Sequence, residues 1–189
     1  CQGYGLAISY AKVQVYNTQI SNTLNHCLYV EGGHVEVNNS TIAQFYPFDG
    51  NRRSAIGFKA PIDTLDVRNS LVTGYGNDEV LWTPVEEEPL KFCFDHCVLR
   101  TEKMMTEDSL RFTHVVYEDV KDTTMYGEKH FSVFDTENLI YDFHLSAKSA
   151  AIGAADPKTA FPYDRNGLKR EEDKADAGCF LYREEKKEE

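Results

Sequence analysis

The chain has 189 residues, 41% of them hydrophobic, with a formal net charge of −11 and an isoelectric point near 5.0. Length and apolar content suit one sizeable domain. The acidic balance argues against nucleic acid as a partner, because phosphate binding needs clustered Lys and Arg, and leaves a neutral polysaccharide or another protein open. No apolar run approaches the ~20 residues of a bilayer-spanning helix.

The first residues do not read as a signal peptide. Cys1 opens directly into strand-like sequence, with Leu6 and Ile8 already spaced like core residues. A bacterial lipoprotein begins at a lipidated Cys, but usually continues with a polar tether. The reading favoured here is therefore a piece of a longer protein with further coils upstream. Five cysteines (Cys1, Cys27, Cys93, Cys97, Cys179) form no CxxC pair, and no second ligand pair follows Cys93 and Cys97. They read as unpaired thiols that pack like small apolar residues, not as a metal site.

Four stretches then share the template apolar-x-apolar-x-Asn-x-x-apolar. They are Val13, Val15, Asn17, Ile20; Val35, Val37, Asn39, Ile42; Leu65, Val67, Asn69, Val72; and Phe92, Phe94, His96, Leu99, where His replaces Asn. A shorter strand signal precedes each: Leu6 and Ile8, Leu28 and Val30, Ile56 and Phe58, Val80 and Trp82. Alternation with period two means each strand buries one face. A unit this short carries no crossover helix and cannot bury its own apolar face, whereas stacking on its neighbours buries it. The sequence therefore predicts an all-β right-handed parallel β-helix, with Val15, Val37, Val67 and Phe94 in one inward column and Ile20, Ile42, Val72 and Leu99 in another. Asn tolerates the left-handed backbone of a sharp corner, and stacked amides can bond to one another. Asn17, Asn39 and Asn69 are expected to form a structural corner column with His96 above it. Residues 1–100 hold about four coils. Residues 101–182 form an irregular last coil and a C-terminal cap over the open end, and residues 183–189 a charged tail.

This repeat resembles the right-handed parallel β-helix proteins of the pectate-lyase-like superfamily. The C-terminal segments "FDTENLIYDFHLSAKSAAIGAAD" (134–156) and "DRNGLKREEDKADAGCFLY" (164–182) are similar to the choice-of-anchor Q ending of bacterial surface β-helix proteins. That ending usually reads DFxLxxxSpAIxxAd, then DxxGxxR, then DiGayE. The matching residues are Asp142, Phe143, Leu145, Ser149, Ala151, Ile152, Asp164, Gly167, Arg170, Asp176, Ala177, Gly178 and Tyr182. Ala150 stands where Pro is common, and Cys179-Phe180-Leu181 replaces the short aromatic ending. The resemblance implies an extracellular protein or one at the bacterial outer-membrane surface. It does not fix an activity.

Outward strand positions fall on Gln14, Glu36, Asp66 and Cys93. Glu36 and Asp66 make the best carboxylate pair for glycoside chemistry, but outward strand residues are ordinarily polar and solvated. His26, His34 and His96 lack a neighbouring nucleophile or acid motif and are not read as catalytic. Asp164 and Asn166 offer oxygen ligands that calcium could use, without the full ligand series of a calcium loop. A capped turn is the preferred reading, with Asp164 and Arg170 as a salt bridge. Trp82 aligns with Phe58 and reads as core.

Loops between coils carry function on such scaffolds. "QFYPFDGNRRS" (44–54) offers Tyr46, Phe48, Asp49, Arg52 and Arg53, and "TGYGNDE" (73–79) adds Tyr75. Tyr46, Phe48, Arg52, Arg53 and Tyr75 are the candidate ligand-binding residues; no catalytic residue, metal site or cofactor is assigned. The expected function is a non-catalytic cell-surface module that recognises polysaccharide or another surface protein, or a subunit of a surface complex. The alternative is the C-terminal part of a polysaccharide lyase or glycoside hydrolase whose active site lies upstream.

Overall fold

Each repeat sends its chain through two parallel sheets in turn. The computed structural model describes residues 1–103 and 110–184. The first sheet contains β1 (Leu6–Tyr16), β3 (Leu28–Asn38), β5 (Ile56–Lys59), β6 (Ile62–Arg68), β8 (Val80–Thr83), β9 (Leu90–Asp95) and β11 (Phe112–Thr113). The second contains β2 (Gln19–Ser21), β4 (Thr41–Gln44), β7 (Leu71–Gly74), β10 (Val98–Leu99) and β12 (Val116–Tyr117). Every pairing within these two sheets is parallel. The described residues contain no helix long and apolar enough to cross a membrane.

The register follows the template. Val15, Val37, Val67 and Phe94 lie opposite one another on successive strands, and so do Ile20, Ile42, Val72 and Leu99. All eight are buried in one core between the sheets. A fully buried aliphatic or aromatic side chain contributes about 1.5–3 kcal/mol relative to exposure, so repetition of the pair is what holds the stack. Trp82 is half-buried against this core, its ring stacked on Phe58 at 5.9 Å.

The short strand signals differ from expectation in the first two repeats. They do not form separate strands there, because β1 and β3 each run unbroken for 11 residues. A bend replaces the break, with Tyr10, Gly32 and Gly33 at positive φ. A Cβ on Gly33 would lie 2.2 Å from the Ala11 carbonyl oxygen, so this crossing needs glycine. The pattern also continues into the stretch read as irregular. Strands β11 and β12 extend both sheets by one repeat, with Phe112 opposite Phe94 and Tyr117 opposite Leu99.

The C-terminal segment is not where a cap over the open end would place it. A 3-10 turn (Gly127–His130) leads into an antiparallel hairpin of β13 (Phe131–Asp135) and β14 (Ile140–Leu145). This hairpin and the following loops pack on the outer face of the second sheet. Ala43, Leu71 and Val98 point outward there and form a second core with Phe131, Phe143, Leu145, Ala151, Ala177, Cys179 and Phe180. Outward apolar residues on alternate positions of a sheet demand such a cover. Residues 185–189 of the charged tail lie outside the described residues.

Candidate functional site

Corner positions decide where the C-terminal segment sits. Asn17, Asn39, Asn69 and His96 all have positive φ, from +46° to +51°, and His114 in the added repeat shares it at +51°. Backbone N–H groups of Asn17, Asn39, Asn69 and His96 donate to carbonyls of the next repeat. The expected amide ladder does not form. The side chains bind the C-terminal segment instead. Asn17 Nδ2 donates to the Tyr163 carbonyl (2.7 Å), Asn39 Oδ1 accepts the Phe161 N–H (2.7 Å), and Asn69 Oδ1 accepts the Asp156 N–H (2.8 Å). A ladder runs one residue later, where the Thr18 N–H donates to Ser40 Oγ and the Ser40 N–H to Ser70 Oγ. The Ser40 and Ser70 hydroxyls also donate to the carbonyls of Asn38 and Arg68, so they stay close to their own strands.

The expected Asp164–Arg170 salt bridge is also replaced. Buried Asp164 accepts the N–H groups of Asn166, Leu168 and Leu181, so its carboxylate caps its own turn. Arg170 donates to Asn17 Oδ1 and to the carbonyls of Asp176 and Gly178. With its oxygens occupied by backbone donors, the Asp164 loop has the form of a capped turn.

The candidate binding residues divide into three groups. Tyr46 and Phe48 meet edge to face at 5.4 Å, and Phe48 is 68% exposed. Arg52 lies over the Tyr75 ring at 4.9 Å, and Tyr75, 37% exposed, rests on buried Phe45. Arg53 stands apart. Its N–H donates to the Leu24 carbonyl, and its charge helps burial to lower the pKa of His26. Asp49 accepts the Asn51 N–H and shapes the loop tip.

Beneath this loop lies Glu79, a buried residue that the sequence reading passed over. Its carboxylate accepts the Ala55 N–H (2.7 Å) and the Gly76 N–H (2.6 Å), tying the 44–54 and 73–79 loops together. Burial pushes the carboxyl up to about 8, against the pull of those N–H groups and of Arg52 and Arg100. A folded value above the usual 4.5 means that the folded state holds this proton more tightly than the unfolded chain. Its contribution is full below the unfolded value and is lost as pH rises through the folded one. The urea midpoint is expected to fall from pH 5 to pH 8, and Glu79→Gln to flatten that fall. Parallel pH profiles for the two proteins would rule out this account.

Other groups look catalytic in type. Glu118, His130 and Ser149 form a chain, with His130 Nε2 3.0 Å from Glu118 Oε1 and His130 Nδ1 2.8 Å from Ser149 Oγ. The Glu118 and His130 side chains are fully buried, so no substrate reaches them and the chain serves as a buried polar network. Asp142 and His144 hydrogen-bond to each other in a cleft of about 520 Å³. The second imidazole nitrogen there lies 2.7 Å from the Asn166 amide, and Phe180 stacks on the ring at 4.0 Å. Outward positions Gln14, Glu36, Asp66 and Cys93 stand in register on successive strands. Gln14 donates to Glu36 (3.0 Å), and Asp66 pairs with Arg68, so both carboxylates have partners. His26 contacts Ser54 and His34 faces Asp63 at 3.7 Å. Cys27, Cys97 and Cys179 are buried, Cys93 is half-buried and Cys1 is exposed, all as free thiols. Comparison of the chain with protein-family models, curated proteins and solved structures found no match.

Proposed function

We propose that the chain is a stretch of right-handed parallel β-helix of the pectate-lyase-like kind. In this reading it is a non-catalytic recognition module at a bacterial surface, and its loops around Tyr46, Phe48, Arg52 and Tyr75 bind a neutral polysaccharide. The observation that carries the reading is the exposed Phe48 ring, braced by Tyr46, on the loop that sets Arg52 over Tyr75. Exposed aromatic faces held in place suit sugar rings, because they bury area on binding at little cost in side-chain freedom. Arg52 adds hydrogen-bond donors for hydroxyl groups. The net charge of −11 disfavours a polyanionic glycan.

Affinity electrophoresis in gels containing neutral glucans, galactans or xylans tests the reading. Retardation by at least one glycan is expected, and Phe48→Ala or Tyr75→Ala should weaken it about 5- to 30-fold, the usual worth of an aromatic anchor. Phe48→Ala should leave the melting temperature unchanged. Migration unaffected by every glycan, or equal retardation of wild type and Phe48→Ala, would remove the proposal.

A further inference from the structure

The corner column changes residue type where the C-terminal segment's amide contacts end. Asn17, Asn39 and Asn69 each bond to that segment. The next two corners are His96 and His114, and they turn instead to Asp95. Their backbones share the same left-handed conformation, so the spacing of parallel strands, about 4.8 Å, stacks their rings at 4.3 Å. His114 Nδ1 lies 2.9 Å and His96 Nδ1 3.0 Å from the same atom, Asp95 Oδ1. Thr113 Oγ1 donates to that oxygen at 2.7 Å. His96 Nδ1 is buried yet makes no well-aligned hydrogen bond, despite its closeness to Asp95. Arg68, whose charge also interacts with Asp95, is taken up by Asp66.

We propose that Asp95, His96 and His114 form a binding site for a divalent transition-metal ion of the zinc type. The ligand atoms lie within 4.8 Å of one another. Tetrahedral bonds of about 2.0–2.1 Å need ligand atoms about 3.3 Å apart, so the two Nδ1–Oδ1 separations of 2.9 and 3.0 Å must open by a few tenths of an ångström, with the two imidazole nitrogens settling at about the same distance from each other. His114, 68% exposed, is free to give that distance. Two imidazoles and one carboxylate select zinc, cobalt, nickel or copper over calcium, which takes six or more oxygens. Three protein ligands leave the fourth position open to water or to a ligand atom from a partner. The repeat itself builds the chelate: two histidines at equivalent corners of adjacent strands cannot avoid meeting.

The test is titration of the full chain with zinc chloride by calorimetry, and with cobalt chloride by visible absorption. One metal per chain is expected, with the intense visible bands of a low-coordinate cobalt site. At 100-fold excess over the dissociation constant, zinc should raise the melting temperature by about 5–10 °C. His114→Asn keeps a residue suited to positive φ while removing the imidazole. It should weaken binding roughly 10-fold or more, since even outer-shell changes cost that much. His144→Ala, at the separate Asp142–His144 pair, should bind as wild type does. Absence of stoichiometric zinc binding overturns the proposal. So does binding that His114→Asn leaves intact, as metal held by the free cysteines would be.

Discussion

Replacing Glu118 by alanine should destabilise the protein by about 3–5 kcal/mol, the cost of breaking a buried ion pair from one side. Glu118 Oε2 accepts from Arg100 (3.0 Å) and from the Gly127 N–H (3.1 Å), while Oε1 faces His130 Nε2 (3.0 Å). Truncation leaves the Arg100 charge, 13% exposed, without its carboxylate, and the buried His130 Nε2 and the Gly127 N–H without their acceptor. Each buried polar group so orphaned costs about 1–3 kcal/mol. Glu118→Gln keeps the shape and one acceptor, and should cost less. Burial alone would push the Glu118 carboxyl up, but His130 first, then Thr73 and Arg100, hold it below the usual 4.5. A depressed folded value stabilises above the unfolded one and is lost as pH falls through the folded one. The gap between wild type and Glu118→Ala in urea midpoint should therefore be widest near neutral pH and shrink in acid. A gap under about 1 kcal/mol near pH 7, the range of exposed ion pairs, would show that the network carries little.

That network was invisible in the sequence for a physical reason. Glu118 sits in "VVYEDVKDTT", a run whose charges resemble a solvated loop, and His130 lies 12 residues on with no periodic pattern between them. Burial of the pair is decided by the fold of the β13–β14 hairpin over the second sheet, which no local pattern encodes. Period-two alternation, by contrast, is a local consequence of burying one strand face, so the parallel all-β arrangement and its inward columns could be read directly. The left-handed corners fall where the Asn template marks them, because few other residues accept that backbone. What the amides bind could not be read: Asn17, Asn39 and Asn69 reach partners 87 to 146 residues away. His114 is hard to read in the sequence for a different reason. Leu110, Phe112, His114 and Tyr117 fit the template, but they follow Phe92 after only 18 residues, a shorter interval than the 22 to 30 between the earlier copies. Without His114, His96 looked like an isolated variant of the column instead of one half of a pair.

Asn39→Ala is the second large expected effect, and it separates two roles of one side chain. Asn39 is fully buried at φ +46°, and its Oδ1 accepts the Phe161 N–H at 2.7 Å. Its Nδ2 adds longer contacts of 3.5 Å to the Asn69 and Asp176 carbonyls. Alanine in a left-handed conformation costs about 1–2 kcal/mol, and the Phe161 N–H left without its acceptor costs about 1–3 kcal/mol more. A loss of roughly 2–4 kcal/mol in urea unfolding is expected, with glycan retardation unchanged in the folded protein. Asn39→Gly relieves the backbone strain but not the lost bond, so it should recover about 1 kcal/mol of that loss. Hydrogen exchange distinguishes the parts. Amides of residues 156–164 should exchange faster in both variants, because the corner holds that segment down, while those of β3 and β4 should be perturbed mainly in the alanine variant. Equal midpoints for wild type and Asn39→Ala would remove the corner from the account of stability. Full recovery by glycine would show that the left-handed turn alone matters, and that the C-terminal segment is held by its apolar contacts with the second sheet.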